Sequence, residues 1–221
     1  MSAAATRRRA DVGRLIMIPT AGVILTLDLI ALGHGSGGHG SGGGAAGALK
    51  WLATALVCAF YFLVIWCYLR RGQATASSGS LTAHVAAVAA TLMPFAFPLL
   101  RGATAGEGAE LASDALLVAG TTWSVWALRS LGRNLSVLAQ ARGLADRGPY
   151  RWVRHPLYAG ELVSALGLAI AAGTPAAAVT WVVLCALQAY RAVREEQVLL
   201  AALPGYSSYR RRTAALLPGL F

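Results

Sequence analysis

The sequence predicts an all-α integral membrane protein. Four N-terminal transmembrane helices are followed by a C-terminal helical hairpin, and a polar pocket faces the cytoplasm. Three observations predict this. Hydrophobic residues make up 57% of the chain and charged residues only 13%, against about 25% charged in soluble domains, and mean hydropathy is +0.58. The apolar residues gather into long runs separated by short polar breaks, the pattern of hydrocarbon-spanning helices. The arginines fall almost entirely on one side of those runs. Residues 1–128 hold the N-terminal helices, and residues 129–221 form a second unit where the polar chemistry concentrates.

Residues 1–11 carry Arg7, Arg8 and Arg9 and read as a basic surface arm. The first span covers 15–32, with Pro19 near its start, where proline is tolerated or kinks a helix. Asp28 lies in this run. It reads either as an interfacial acid or as a substrate- or cofactor-directed group, because a carboxylate in lipid needs protein or water. The run is long and lacks a small-residue cleavage pattern, so no cleavable signal peptide is expected. The link 33–47, GHGSGGHGSGGGAAG, reads as a flexible connector. Its histidines have no thiolate nearby in sequence, and Cys58, Cys67 and Cys185 read as buried thiols, so no metal site is expected.

The second span, 49–69, is rich in aromatic residues and ends on Arg70 and Arg71. A polar turn over 72–80 follows. The third span, 81–100, contains His84, Pro94 and Pro98. The prolines predict a bend or break, which membrane helices accept where protein or a cavity covers it. The fourth span covers 111–128. Two shorter runs, 157–172 and 176–190, flank the turn at Gly173, Thr174 and Pro175. Each is shorter than the about 20 residues that cross a bilayer squarely. They either extend into their polar flanks or form a hairpin shielded by the other helices.

With the N-terminus in the cytoplasm, every basic residue except Lys50 and Arg101 falls on the cytoplasmic side. This bias orients the chain with both termini cytoplasmic, and the expected location is a bacterial inner membrane. The net charge of +10 is thereby explained as a positive rim, which excludes nucleic acid as the partner and leaves membrane lipids. Two dense polar patches share that side. The first is 148–161, GPYRWVRHPLYAGE, and the second is 191–196, RAVREE. Pro156 suits the first turn of a helix, and Tyr158 and Glu161 then share one face. Arginines beside a helix N-terminus suit a carboxylate or phosphate. Gln188, Arg191 and Glu195 share a face of the other helix. A hairpin of the last two runs brings the patches together.

The segment GPYRWVRHPLYAG over 148–160 resembles the signature of the isoprenylcysteine carboxyl methyltransferase family and its phospholipid methyltransferase relatives. The later Arg194-Glu195-Glu196, with Leu199, Gly205, Tyr206, Tyr209 and Arg212, resembles the C-terminal pattern of that family, and Leu131-Gly132 also fits. The resemblance covers residues 129–212. It implies a membrane enzyme that takes S-adenosyl-L-methionine from the cytosol and a lipophilic methyl acceptor from the bilayer, an isoprenylcysteine-type carboxylate or a related small lipid. It also implies a cofactor pocket formed by His155, Tyr158 and Gly160, with Tyr150 and Arg151 nearby and Glu196 facing them. Glu161, Arg194 and Glu195 are the catalytic candidates. The glutamates orient an acceptor or balance the cofactor's charge, and an arginine holds an acceptor carboxylate. Methyl transfer is an in-line displacement that mainly requires alignment of the two partners.

Two rival readings make different demands. A sterol-reductase-like enzyme predicts NADPH binding. A transporter or scaffold predicts polar residues spread through several mid-membrane helices, whereas here they cluster at one end.

Overall fold

The computed structural model describes residues 12–35, 45–70, 76–77, 80–102, 106–135, 140–141 and 144–216. The basic arm, the side chains of His34 and His39 with most of their link, Arg71 and most of the following turn, Arg142 and the end of the tail lie outside the described residues.

Seven α-helices dominate the described chain: α1 (Val12–Gly35), α2 (Ala45–Arg70), α3 (Leu81–Leu92), α4 (Glu107–Leu131), α5 (Pro156–Ala172), α6 (Pro175–Ala202) and α7 (Tyr206–Arg212). A two-residue antiparallel pairing, Ala76 with Ala141 and Ser77 with Gln140, joins two loops. Five segments are long and apolar enough to cross a membrane, and α5 is a shorter apolar helix. Large hydrophobic side chains such as Leu15, Val23, Leu81 and Leu99 are exposed on the outer surface, as lipid-facing residues are.

The third span runs as an α-helix to Leu92 and continues as a 3-10 helix over Met93–Leu100. Pro94 and Pro98 lack the N–H groups an α-helix needs. The fourth helix extends beyond its apolar run at both ends. The larger departure concerns α6, which does not stop at residue 190 but runs on to Ala202. At 28 residues it is about 42 Å long, more than the about 30 Å hydrocarbon core. The extension is built from Arg, Glu, Gln, Leu and Ala, all strong helix formers. The second polar patch therefore lies within a helix, not at its end. Of the two short runs, only α6 extends. At 17 residues, α5 stays short.

Helix α5 packs most extensively on α4, and small residues permit it. A Cβ on Gly160 would meet the Gly120 carbonyl oxygen at 2.7 Å and the Ser124 nitrogen at 3.0 Å, and one on Gly167 would meet the Ser113 carbonyl oxygen at 2.7 Å. Close approach through such small-residue stripes is how helices associate in lipid. The α5–α6 turn is made by Gly173 at φ 64° and by Thr174, whose side chain accepts from the Ala177 N–H.

Trp123 on α4 donates its Nε1–H to the Pro156 carbonyl at 2.8 Å, fixing the start of α5. Trp123→Phe is expected to lower unfolding free energy by about 1 kcal/mol, measured by equilibrium unfolding in mixed micelles.

Candidate functional site

The site begins in the loop before α5. Gly148 at φ 59° opens a 3-10 turn that buries Pro149 and Tyr150. The chain then runs extended and pairs with the tail. Arg154 N–H donates to Ala214 O at 2.8 Å, His155 N–H to Ala215 O at 3.0 Å, and Ala214 N–H to Trp152 O at 3.0 Å. Tyr209 of α7 donates its hydroxyl to the Tyr150 carbonyl at 2.7 Å. Burial pushes the Tyr209 phenol up to about 12 and raises that of Tyr150 well above its usual range, so both are neutral hydrogen-bonding groups at physiological pH. Backbone pairing and this phenol hold His155, 5% exposed, at the mouth of α5.

Glu196 reaches this segment from α6. Its Oε1 accepts from Arg154 Nε at 2.7 Å and faces His155 Nε2 at 3.2 Å, and its Oε2 lies 3.1 Å from Arg210 Nε. An ionised carboxylate only accepts, so Nε2 of His155 carries a proton. Arg154 Nη1 also donates to the carbonyls of Arg210 and Thr213. Glu195 accepts from the Tyr158 hydroxyl at 2.8 Å and lies 3.9 Å from His155 Nδ1. The His155 and Tyr158 rings stack at 5.4 Å, 4° from parallel.

One turn deeper the network continues. The Arg191 guanidinium sits 4.7 Å over the Tyr158 ring, a favourable cation–π placement. Arg191 donates to Gln188 Oε1 at 2.9 Å, and Gln188 donates to Glu161 Oε2 at 2.8 Å. Gln188 is 1% exposed, so both ends of its amide are committed inside the bundle.

Among the residues singled out by sequence, Tyr150, His155, Tyr158, Glu195 and Glu196 converge directly. Glu161 joins them through Gln188 and Arg191. Three others stand apart from the cluster. Arg151 is exposed and stacks on Trp152 at 4.2 Å. Gly160 faces α4 and serves the helix crossing. Arg194 bonds Gln197 at 2.8 Å, and its buried Nε has no hydrogen-bond partner. Sequence reasoning missed the bridging roles of Arg154 and Arg210. Only the basic and aromatic character of 206–212 hinted at the second.

Tyr158→Phe removes one hydroxyl and keeps the ring. It is expected to cost about 1 kcal/mol in stability and leave the fold intact, checked by thermal unfolding and circular dichroism.

Two cavities adjoin the network. A small one of about 50 Å³ is lined by Tyr150, Arg154, His155, Glu195, Tyr206 and Tyr209, among others. Another, of about 110 Å³, holds Tyr158, Glu161, Gln188 and Arg191 in its wall. It shares Glu161, Tyr61 and Phe60 with a larger, half-open cavity of about 390 Å³ between the helices.

Fold and site together define a multi-span membrane protein with a polar, aromatic pocket at one end of the bundle and a cavity leading away from it. Residues 109–203 match the phospholipid methyltransferase family, a stretch that contains both polar patches. The solved structure of the eukaryotic intramembrane Ras methyltransferase ICMT, an isoprenylcysteine carboxyl methyltransferase, shares the fold. It aligns with a TM-score of 0.52 over 91% of this chain and 74% of its own, at 18% identity. These two findings support the resemblance read from the motifs. The cobalt-zinc-cadmium resistance protein CzcN of Cupriavidus metallidurans is 42% identical over 80 residues, which is 35% of this chain and 36% of that protein. The match thus spans about a third of that relative's length.

Proposed function

We propose that the protein transfers a methyl group from S-adenosyl-L-methionine to a lipophilic acceptor at the cytoplasmic face of a bacterial inner membrane. One observation carries the reading: the two motif-bearing segments, far apart in sequence, meet in a single network of His155, Tyr158, Glu195 and Glu196 beside a cavity in the bundle. The family match over residues 109–203 supports it.

The donor set fits the cofactor. Carboxylates Glu195 and Glu196 suit its ammonium and sulfonium, Arg154 and Arg210 suit its carboxylate, and Tyr150, Tyr206 and Tyr209 offer flat faces and phenols. The described walls enclose less space than the about 300–1,000 Å³ of a ligand site. When bound, the cofactor supplies an electrophilic methyl on a cationic sulfur. The protein's part is alignment and charge. Glu196 holds Arg154 and His155 in place, Glu195 and Tyr158 order the wall toward the membrane, and Arg191 and Glu161 face the acceptor from the adjoining cavity. Arg191 is the cation placed to hold an isoprenylcysteine-type carboxylate. No base is required for a carboxylate acceptor.

Membranes containing the protein, supplied with methyl-labelled cofactor, are expected to transfer label into the lipid-extractable fraction, and His155→Ala is expected to remove the transfer. Oxidation of NADPH by the same membranes, with no label transferred, would overturn the reading in favour of a reductase.

A further inference from the structure

We propose that the large cavity takes an amphiphile polar at both ends, whose remote end carries a hydrogen-bond donor, an amine or hydroxyl, seated among Asp28, Asp114 and Lys50. The methyltransferase reading enters only in naming this molecule the acceptor.

The cavity holds about 390 Å³, within the range of small-molecule sites, about 300–1,000 Å³. Its near end is Glu161, in the second turn of α5 and bonded to Gln188. Its far end is built from three other helices. Lys50 lies early in α2, Asp114 early in α4, and Asp28 about two turns before the end of α1. Successive spans alternate in direction, so all three stand at the end of the bundle opposite the mouth of α5. Between Tyr61 and Lys50 on α2, both in the cavity wall, the helix rises about 16 Å. Val57, Leu117 and Leu168 line the stretch between. The space is thus long, apolar in the middle and polar at each end.

A plain acyl or prenyl chain matches only the middle. Among the described residues, Asp28 Oδ2 and Ser124 Oγ are buried without a hydrogen-bond partner. Ser124 is 3% exposed, and both residues line the cavity. Leaving such groups unmatched is unfavourable, and ionisable residues inside membranes mark ligand sites. At the far end the carboxyl groups of Asp28 and Asp114 share the wall with one ammonium, that of Lys50. A terminal amine or hydroxyl corrects that imbalance, whereas a carboxylate worsens it.

The test uses the full chain in phosphatidylcholine nanodiscs, titrated calorimetrically with dodecanol, dodecanediol bearing a hydroxyl at each end, and aminododecanol bearing an amine at one end. Empty nanodiscs correct for partitioning. Aminododecanol is expected to bind about tenfold more tightly than dodecanol, with the diol between them. Combining Asp28→Asn with Asp114→Asn is expected to abolish the advantage of the amine and leave dodecanol unchanged. Equal binding of dodecanol and aminododecanol by the native protein would overturn the proposal, and so would an advantage that survives both substitutions. S-adenosylhomocysteine is titrated into the same samples. Its binding without any preference among the alcohols overturns the double-ended ligand alone. A preference without cofactor-product binding supports the cavity assignment and overturns the methyltransferase reading.

Discussion

Glu196→Ala is expected to abolish cofactor binding and to lower the unfolding free energy by about 3–5 kcal/mol. The carboxylate is 8% exposed and is shared by Arg154, His155 and Arg210. Its loss leaves the Arg154 guanidinium, whose side chain is 7% exposed, with only carbonyl partners. Removing one member of a buried ion pair costs more than the pair contributes, because the remaining charge stays desolvated. The Arg210 contact adds little, since that side chain is 52% exposed and water screens it. Glu196→Gln keeps an acceptor for Arg154 and is expected to lose less than half as much stability. Equilibrium unfolding in mixed micelles measures both. Equal stability of native protein and Glu196→Ala would show that the network is a solvated rim.

The second large effect is expected at the α4–α5 crossing. Gly160→Val is expected to prevent recovery of folded protein from membranes, or to cost at least the about 1–3 kcal/mol of an overpacked core. Besides the Ser124 hydroxyl, a Cβ there meets the Gly120 carbonyl oxygen and the Ser124 backbone nitrogen, which cannot rotate away as a side chain can. The reciprocal change Gly120→Val meets Gly160 O at 2.6 Å and is expected to behave alike. Gly22→Val is the contrast, because a Cβ there has nothing within 4 Å. The yield of monodisperse protein on size-exclusion chromatography separates the three. Normal recovery of Gly160→Val would remove the crossing as the reason for that glycine.

The spans and the meeting of the two patches were legible because they rest on strong, local signals. Apolar run length reports hydrocarbon thickness, and His155-Pro156 marks where a polar loop becomes a helix. What escaped depends on partners distant in sequence. Nothing near Arg154 shows that Glu196 lies against it, or that the carbonyls of Arg210 and Thr213 take its remaining protons. The resemblance puts Gly160 beside a cofactor, and sequence alone could not show that α4 leaves no room there for a side chain. The extension of α6 to Ala202 was one of two alternatives left open by sequence, because hydropathy falls after residue 190 although helix propensity does not. Asp28 reads from sequence either as an interfacial acid or as a ligand-directed group, and only the fold brings Lys50 and Asp114 to the same cavity.

The central claim is that residues 148–161 and 188–212 together form one pocket for S-adenosyl-L-methionine. Calorimetric titration of the purified chain with S-adenosylhomocysteine tests it most directly, on native protein, His155→Ala and Tyr158→Phe. The predicted result is saturable binding by the native chain, weakened at least about tenfold in His155→Ala and less in Tyr158→Phe, with both variants folded by circular dichroism. Binding of NADPH in place of S-adenosylhomocysteine, or equal S-adenosylhomocysteine affinity in all three proteins, would contradict it.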